Sequence, residues 1–272
     1  MTAKTVLLTG TSSGIGLAAA VAAAEAGWHV IATMRDTGRA GALRAAAGDR
    51  ANLEIRQLDV TDPASVAACL AGLDRLDAVV NNAGAGHVGT LELESIDDVR
   101  AVMEVNFFGV LQVSKAALPL LRASGGRLVT VTSVGGVVGQ PFNEAYCAAK
   151  FAVEGFMESL APVAASQGVA VSVVEPAAVA SEFVPNVGLA DDAVAEAGPY
   201  GPALQTYLAT IGNAFTAAQS SRDAAQSIIE VLTAERPPFR VQTSDRARTV
   251  VGLKLTDTDG SAVQAVTAGW IA

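Results

Sequence analysis

The stretch AYCAAK places Tyr146 and Lys150 four positions apart. On a helix, residues at that spacing share a face. The phenol and the ammonium then point the same way, and Ala148 and Ala149 keep the backbone approachable. A free tyrosine titrates near about 10, too high to lose a proton readily at neutral pH. A neighbouring ammonium favours the phenolate and is expected to pull that value down, which would make the pair a tunable proton donor and acceptor. A Tyr-x-x-x-Lys spacing on its own is more often a plain surface contact. Ser133 closes the run VTVTS, 13 positions before Tyr146, and offers a hydroxyl for a reacting oxygen. It could also be an ordinary serine at a strand end.

Whether these groups meet depends on the elements that carry them. Short apolar runs alternate with helix-forming stretches along most of the chain. KTVLLTG, WHVIATM, LEIRQLDV, LDAVVNNAG, GRLVTVTS and VAVSVVEP are expected strands, and FRVQTS a last one. Helices are expected over 14–26, 39–47, from the Asp62–Pro63 start to about residue 73, over 95–122 as one long or two joined helices, over 144–167 and over about 219–234. Such alternation predicts an α/β domain with a parallel sheet covered on both faces. Residues 181–215 interrupt the rhythm with Pro185, Gly188, Gly198, Pro199, Gly201 and Pro202. They are expected to form an insertion with short helices over a site, supplying Phe183, Val184, Val187, Leu189, Tyr200, Leu204 and Tyr207 to a pocket shared with Ser133–Phe142. Ligands in open α/β sheets bind beyond the carboxyl ends of the strands. That edge would hold Ser133, Tyr146 and Lys150 together.

The first strand ends at the same edge, in VLLTGTSSGIGLAA. Gly10, Gly14 and Gly16 there permit a tight turn, and the following helix start presents free N–H groups and a positive dipole end. That is a cradle for the pyrophosphate of a dinucleotide. The spacing is G-x-x-x-G-x-G. Preference between the two nicotinamide dinucleotides should be decided at the end of the second strand. Arg35, together with the Ser12 hydroxyl, favours a 2′-phosphate and hence NADP(H). Asp36 beside it would admit NAD(H) if its side chain turned inward.

The combination TGTSSGIG, LDVTD, NNAG, an Asn in VNFFG, the Ser133, Tyr146, Lys150 set and Pro176 after the sixth strand resembles the short-chain dehydrogenases/reductases over most of residues 4–185. GQPFNEAYCAAKFAVEGFMESLA with ATMRD looks most like the branch holding 17β-hydroxysteroid and retinol-type dehydrogenases. The resemblance implies a single-domain, Rossmann-type doubly wound parallel sheet of about seven strands over residues 1–272. It implies reversible hydride transfer between NADP(H) and a bulky apolar ketone or secondary alcohol.

It also implies roles. Tyr146 would be the general acid/base, and Lys150 would lower its pKa and hold the nicotinamide ribose. Ser133 would hold the substrate oxygen, and Asn106 would support a water linking Lys150 to solvent. Gly10, Ser12, Ser13, Gly14, Ile15 and Gly16 would take the phosphates. Arg35, Asp59, Val60, Asn82, Ala83 and Gly84 would line the adenosine side, with Asp59 at the adenine amino group. Pro176, Val179 and Ser181 would border the carboxamide. Alternatives at single positions stand beside these roles: Asp59 could cap a turn with Thr61, Asn82 could tie two strand ends, Asn106 could cap a break in its helix, and His87 could edge the pocket or sit in a solvated loop. The family's usual Pro-Gly after strand six is Pro176-Ala177 here, which would be strained at a positive φ, and Ser181 stands where threonine is usual.

Composition limits the partners. A net charge of -9 opposes nucleic acid and anionic membranes. With 18 Lys+Arg, a basic docking patch for a carrier-linked β-ketoacyl substrate is the weaker expectation. A catalytically silent NADP(H)-binding sensor is the alternative from another class, but such a protein need not keep all four of Asn106, Ser133, Tyr146 and Lys150. The two cysteines, Cys69 and Cys147, lack metal or framework spacing, so no metal and a reducing, cytoplasmic setting are expected. MTAKTVLLTG has no leader pattern, and no window approaches about 20 uninterrupted apolar residues, so no spanning helix is expected. Relatives of the resembled family suggest a homodimer or homotetramer, through the apolar stretch FAVEGFMESLA among others.

Overall fold

Among the described residues, nine strands carry the chain: β1 (Thr5–Leu8), β2 (His29–Met34), β3 (Leu53–Gln57), β4 (Ala78–Asn81), β5 (Arg127–Val131), β6 (Ala170–Glu175), β7 (Val179–Ala180), β8 (Gln219–Ser220) and β9 (Arg240–Gln242). A computed structural model describes residues 3–181, 192–216 and 218–272. Seven of the strands form one parallel sheet in the order β3-β2-β1-β4-β5-β6-β9, a doubly wound Rossmann arrangement whose order reverses beside β1. Alternation along β1 shows why the strands are apolar throughout. Val6 and Leu8 enter a core with Ala19, Ala23, Ile228 and Leu232, while Leu7 enters another with Val113, Leu121, Val153 and Met157. A strand buried on both faces has no polar side to offer.

The first core lies under α1 (Gly14–Glu25) and α9 (Ser221–Thr233), and the second under α5 (Gly109–Ser124) and α6 (Glu144–Ala165). Alanines at 19, 20 and 23 let α1 lie close to α9 and to the sheet. α2 (Gly41–Ala47) follows a 3-10 turn at Thr37–Arg39. α3 (Pro63–Leu70) starts as expected: Asp62 accepts from the Ala64 amide at 2.9 Å, and Pro63 occupies the first turn.

α4 (Ile96–Met103) runs through a π turn at Glu104–Phe108 into α5 without a break. Its start is a reciprocal cap between Ser95 and Asp98. Ile96–Ser124 is 29 residues of mean hydropathy 1.2, long and apolar enough by length and composition to cross a membrane. That departs from the expectation of no such helix. Its inward residues Val110, Val113, Ala117 and Leu121 are buried against the sheet.

The insertion differs from its expected breakers. After α7 (Ala193–Glu196), Gly201 and Pro202 open a 16-residue helix, α8 (Gly201–Thr216). Proline in a first turn loses no hydrogen bond, so Pro202 starts a helix here. β7 and β8 pair in parallel across the base of this region. Phe183, Val184, Val187 and Leu189 lie outside the described residues. Past β9 the chain makes two helices that the sequence reading did not anticipate, α10 (Asp245–Thr256) and α11 (Ser261–Ala268).

The start of α1 is pressed onto the turn after β1. A Cβ on Gly16 would lie 2.2 Å from the Gly10 carbonyl oxygen and 2.4 Å from Asn82 Nδ2. Gly16→Ala is therefore expected to lower stability by about 1–3 kcal/mol through overpacking, seen as a lower urea midpoint at unchanged slope.

Candidate active site

The carboxyl ends of β1, β4 and β5 meet at one edge, and the loops there are tied together. Asn82, just past β4, donates Nδ2 to the carbonyls of Thr9 and Gly10 at 3.0 Å each. Thr9 Oγ1 accepts from the amides of Asn82 and Ala83 at 2.9 Å. The strand-tie alternative for Asn82 is thus realised, and Asn82 also faces the cavity. Gly10 and Gly14 take φ of 70° and 57°, in the left-handed region that favours glycine. Ser13 precedes α1 in extended conformation, and its side chain makes no capping bond. The Ser13 side chain thus leaves the first-turn amides of α1 uncapped, an arrangement that suits an anion.

Opposite this loop lie the acid/base candidates. Ser133 Oγ accepts from the Gly135 amide at 2.9 Å and is hydrogen-bonded to the Tyr146 hydroxyl. Lys150 Nζ donates to the Val131 carbonyl at 3.2 Å and lies over the Tyr146 ring, 5.8 Å from its centre. Gly84 faces the lysine. A Cβ there would come within 2.9 Å of Asn106 Oδ1 and 3.5 Å of Lys150 Nζ.

The expected lowering of the tyrosine is not what the structure shows. Burial pushes the Tyr146 phenol well above its ordinary value, opposed by the Ser133 hydrogen bond. The lysine's charge sits over the ring and does not offset that burial. Burial also pulls the Lys150 ammonium down to about 8, with Glu154 resisting. The pair at neutral pH is a proton-bearing phenol beside a cation.

A cavity of about 730 Å³ joins the two sides. It is lined by Gly10, Ser12, Ser13, Gly14, Ile15, Arg35, Asn82, Gly84, Ser133, Tyr146, Lys150, Pro176, Val179 and Ser181 among the expected site residues. Ser181 packs on the glycine turn, where a Cβ on Gly14 would lie 3.1 Å from its own. Ala177 has no positive φ, so the expected strain is absent there. Phe142 alone among the described non-glycine residues has one, at 56°. Its ring lies tilted against that of Tyr207, centroids 5.7 Å apart, and its carbonyl accepts from the Gly89 amide at 2.8 Å. These contacts hold a backbone that costs about 1–2 kcal/mol and fix the start of α6.

Five expected residues do not line the cavity. Gly16 and Ala83 are packing positions under Gly10. Val60 is buried, wedged where a Cβ on Gly109 would meet its Cγ2 at 2.7 Å. Asp59 caps its own turn: Oδ1 accepts from the Thr61 amide at 2.9 Å and the Thr61 hydroxyl at 2.7 Å. Burial pushes its carboxyl up, but those bonds and the Arg35 charge outweigh it and leave the group below its usual value. Asn106 is fully buried in the π turn. It accepts from the Ala85 amide at 3.2 Å and donates to the carbonyls of Ala85 and Val102 at 3.0 and 3.1 Å.

Other lining residues were not anticipated. Arg39 flanks Arg35 and was visible four positions on in RDTGRA. Asp36 accepts from the Gly38 amide at 2.8 Å and is absent from the lining. Arg246, Val250 and Trp270 come from the C-terminal helices and the tail behind them, and no local signal marks them. His87 does edge the cavity, hydrogen-bonded to Glu94. From the insertion, Tyr207, Leu208, Ile211 and Phe215 on α8 face the cavity, while Leu204 is buried beside Phe142 and Tyr200 bonds Glu92 at the surface.

A dinucleotide turn, a hydroxyl-bearing strand end and a Tyr-x-x-x-Lys helix on one parallel-sheet edge define an oxidoreductase of the short-chain type, and the family model for short chain dehydrogenase matches residues 4–191. The chain belongs to that family. It is 40% identical over 277 residues to retinol dehydrogenase 8 of Homo sapiens, covering 95% of this chain and 87% of the relative. It is 38% identical over 274 residues to human 17-beta-hydroxysteroid dehydrogenase type 1, covering 96% and 84%. The solved structure of a short-chain dehydrogenase from Streptomyces avermitilis superposes with a TM-score of 0.77 at 31% identity, covering 99% of this chain and 96% of that one.

Asn106→Ala should remove the side-chain partner of the Ala85 amide and carbonyl and the added bond to the Val102 carbonyl. A loss of about 2–4 kcal/mol is expected from three bonds of this kind, measured by chemical unfolding.

Proposed function

We propose that this chain catalyses reversible hydride transfer between NADP(H) and a ketone or secondary alcohol carried on a bulky apolar molecule. The convergence of Ser133, Tyr146 and Lys150 on the cavity that begins at the glycine turn supports this reading above any other observation. The open amides of α1 and the left-handed glycines suit a pyrophosphate. Arg35 and Arg39 line the cavity while Asp36 is engaged with its own turn, a donor set suited to a 2′-phosphate. Once bound, the nicotinamide delivers a hydride to the carbonyl carbon or takes one from the alcohol carbon.

The protein's residues handle the oxygen and its proton. The hydroxyls of Ser133 and Tyr146 are hydrogen-bonded neighbours, so a carbonyl oxygen can accept from both. Because burial keeps the phenol protonated, Tyr146 holds its proton until that oxygen gains charge, then transfers it as a general acid. The phenolate left behind is stabilised by the Lys150 ammonium and the Ser133 hydroxyl. In oxidation the same proton returns to Tyr146. The α8 side chains Leu208, Ile211 and Phe215 with Val250 and Trp270 give the substrate end an apolar wall. The resemblance to retinol and hydroxysteroid dehydrogenases supports a retinoid- or steroid-like substrate.

Tyr146→Phe is expected to cut turnover by about 10²–10⁴-fold while leaving NADPH affinity, read by fluorescence titration, unchanged. Turnover that survives the substitution refutes the acid/base role. Replacing Arg35 and Arg39 by leucine should raise KM for NADPH by roughly 10–100-fold, the equivalent of one lost charge-assisted contact, with KM for NADH little altered. Equal effects on both would show that the two arginines do not read a 2′-phosphate.

A further inference from the structure

The stripe that carries Tyr146 and Lys150 continues beyond the cavity. Glu154 and Glu158 follow at the same spacing on α6. Tyr146, Lys150 and Glu154 are all at least nine-tenths buried, so Glu154 is a carboxyl inside the protein, one helical turn behind the lysine. Oε1 accepts from the Thr132 hydroxyl, just past β5, at 2.5 Å. Oε2 is 2.8 Å from Arg240 Nη1 on β9, yet it receives no well-directed hydrogen bond. That Nη1 is aimed instead at Glu175 of β6, at 2.8 Å. Glu175 is fully buried and also accepts from Gln242 at 2.6 Å. Arg240 Nη2 bonds Glu158 at the rim, at 2.6 Å.

Two buried carboxyls thus share one guanidinium nitrogen, with Glu154 Oε2 and Glu175 Oε1 each 2.8 Å from Arg240 Nη1. Two carboxylates converging on one cation in a buried site repel each other, and a single proton held between them removes that cost. The unsatisfied Oε2 of Glu154 is the atom that lacks a donor and can carry that proton. Counting charge supports the same state. Lys150 and Arg240 are cations, Glu158 is an anion, and Glu154 with Glu175 carries a single negative charge when one proton is shared. The cluster is then neutral, which is what burial demands.

We propose that Glu154, by sharing a proton with Glu175, controls the charge on Lys150 and so acts as a positioning residue for the Tyr146–Lys150 pair. As pH rises the shared proton leaves, and the new negative charge behind Lys150 holds the proton on its amine. Burial drives Glu154 well above the usual carboxylate range, with Glu175 adding to the effect and Thr132 and Arg240 opposing it. Glu154 in turn opposes the downward pull of burial on Lys150. The groups facing Glu154 are Lys150 and Glu158 on its own helix, Thr132, Glu175 and Arg240. Of these, Glu175 disfavours its charge, while Arg240 favours it.

The inference rests on the reductase reading only for its kinetic arm, so the test has two readouts. The first is the titration of the Lys150 Cε–H signal by NMR, assigned through Lys150→Arg. The second is the alkaline limb of kcat/KM for ketone reduction. Glu154→Gln keeps the shape and the Thr132 bond but carries no charge. It should move both the Lys150 midpoint and the alkaline limb down by about one pH unit. Glu175→Gln leaves Glu154 as the one charged carboxyl directly behind the lysine, so it should move the Lys150 midpoint by less than Glu154→Gln does. A Lys150 midpoint that is the same in wild type and Glu154→Gln, or that falls at least as far in Glu175→Gln as in Glu154→Gln, overturns the proposal. An inactive wild type with the expected NMR shifts would count against the reductase reading and leave this inference supported.

Discussion

One helix buries a phenol, an ammonium and a carboxyl along a single stripe, and most of the structure around it exists to make that tolerable. Taking charges out of water is costly unless each finds a partner. Lys150 finds the Val131 carbonyl, Glu154 finds Thr132, and Arg240 arrives from the last strand to balance the carboxyls. Those partners come from β5, its following loop, β6 and β9, which are neighbours only because the sheet is parallel and ordered as it is. The fold supplies the dielectric environment as well as the geometry.

The second half of the site depends on close approach. Gly10, Gly16 and Asn82 bring the turn after β1 against the end of β4 with almost no spare room. Gly84, further along the same segment, leaves space beside Lys150 that any larger residue would take. The glycine turn after β1 and the helix that carries Tyr146 and Lys150 are therefore joined through residues 82–85, with Asn106 bonding to Ala85 from the π turn. A π turn inside a long helix adds a residue to the coil, and this shift is what turns Asn106 inward from α4–α5.

Much of this was written locally. Tyr146 and Lys150 declare themselves by helical spacing, the glycine turn by its place between an apolar run and an alanine-rich helix, and Asp62–Pro63 by its capping chemistry. What could not be read locally depends on the folded environment. The proton affinity of Tyr146 follows from burial, which no spacing encodes, so the expectation of a lowered value had the wrong sign. Trp270 and Val250 reach the cavity because the C-terminal segment doubles back, and only Ala247 and Val251 of α10 are buried, too thin an apolar pattern to announce a helix. Asp59 looked able to serve either the adenine or its own turn, and the nearby Thr61 hydroxyl and amide claim its Oδ1. Proline and glycine misled at α8, where the same residues that break a helix also begin one.

The little pair β7–β8 has a consequence for how such a protein diversifies. It is closed by the Val179–Gln219 and Ala180–Ser220 register, by the Gln219 amide on the Ala178 carbonyl at 3.1 Å and by Ser221 Oγ on the Ala180 carbonyl at 2.9 Å. The two ends of the intervening segment are thereby clasped side by side, independent of what lies between them. Lengthening a clasped loop costs little, since closure entropy grows only with the logarithm of length. Segments of different size and hydrophobicity can be exchanged at this neck while the sheet and the buried stripe of α6 stay as they are, so new chemical tastes can arise by splicing without rebuilding the rest of the fold.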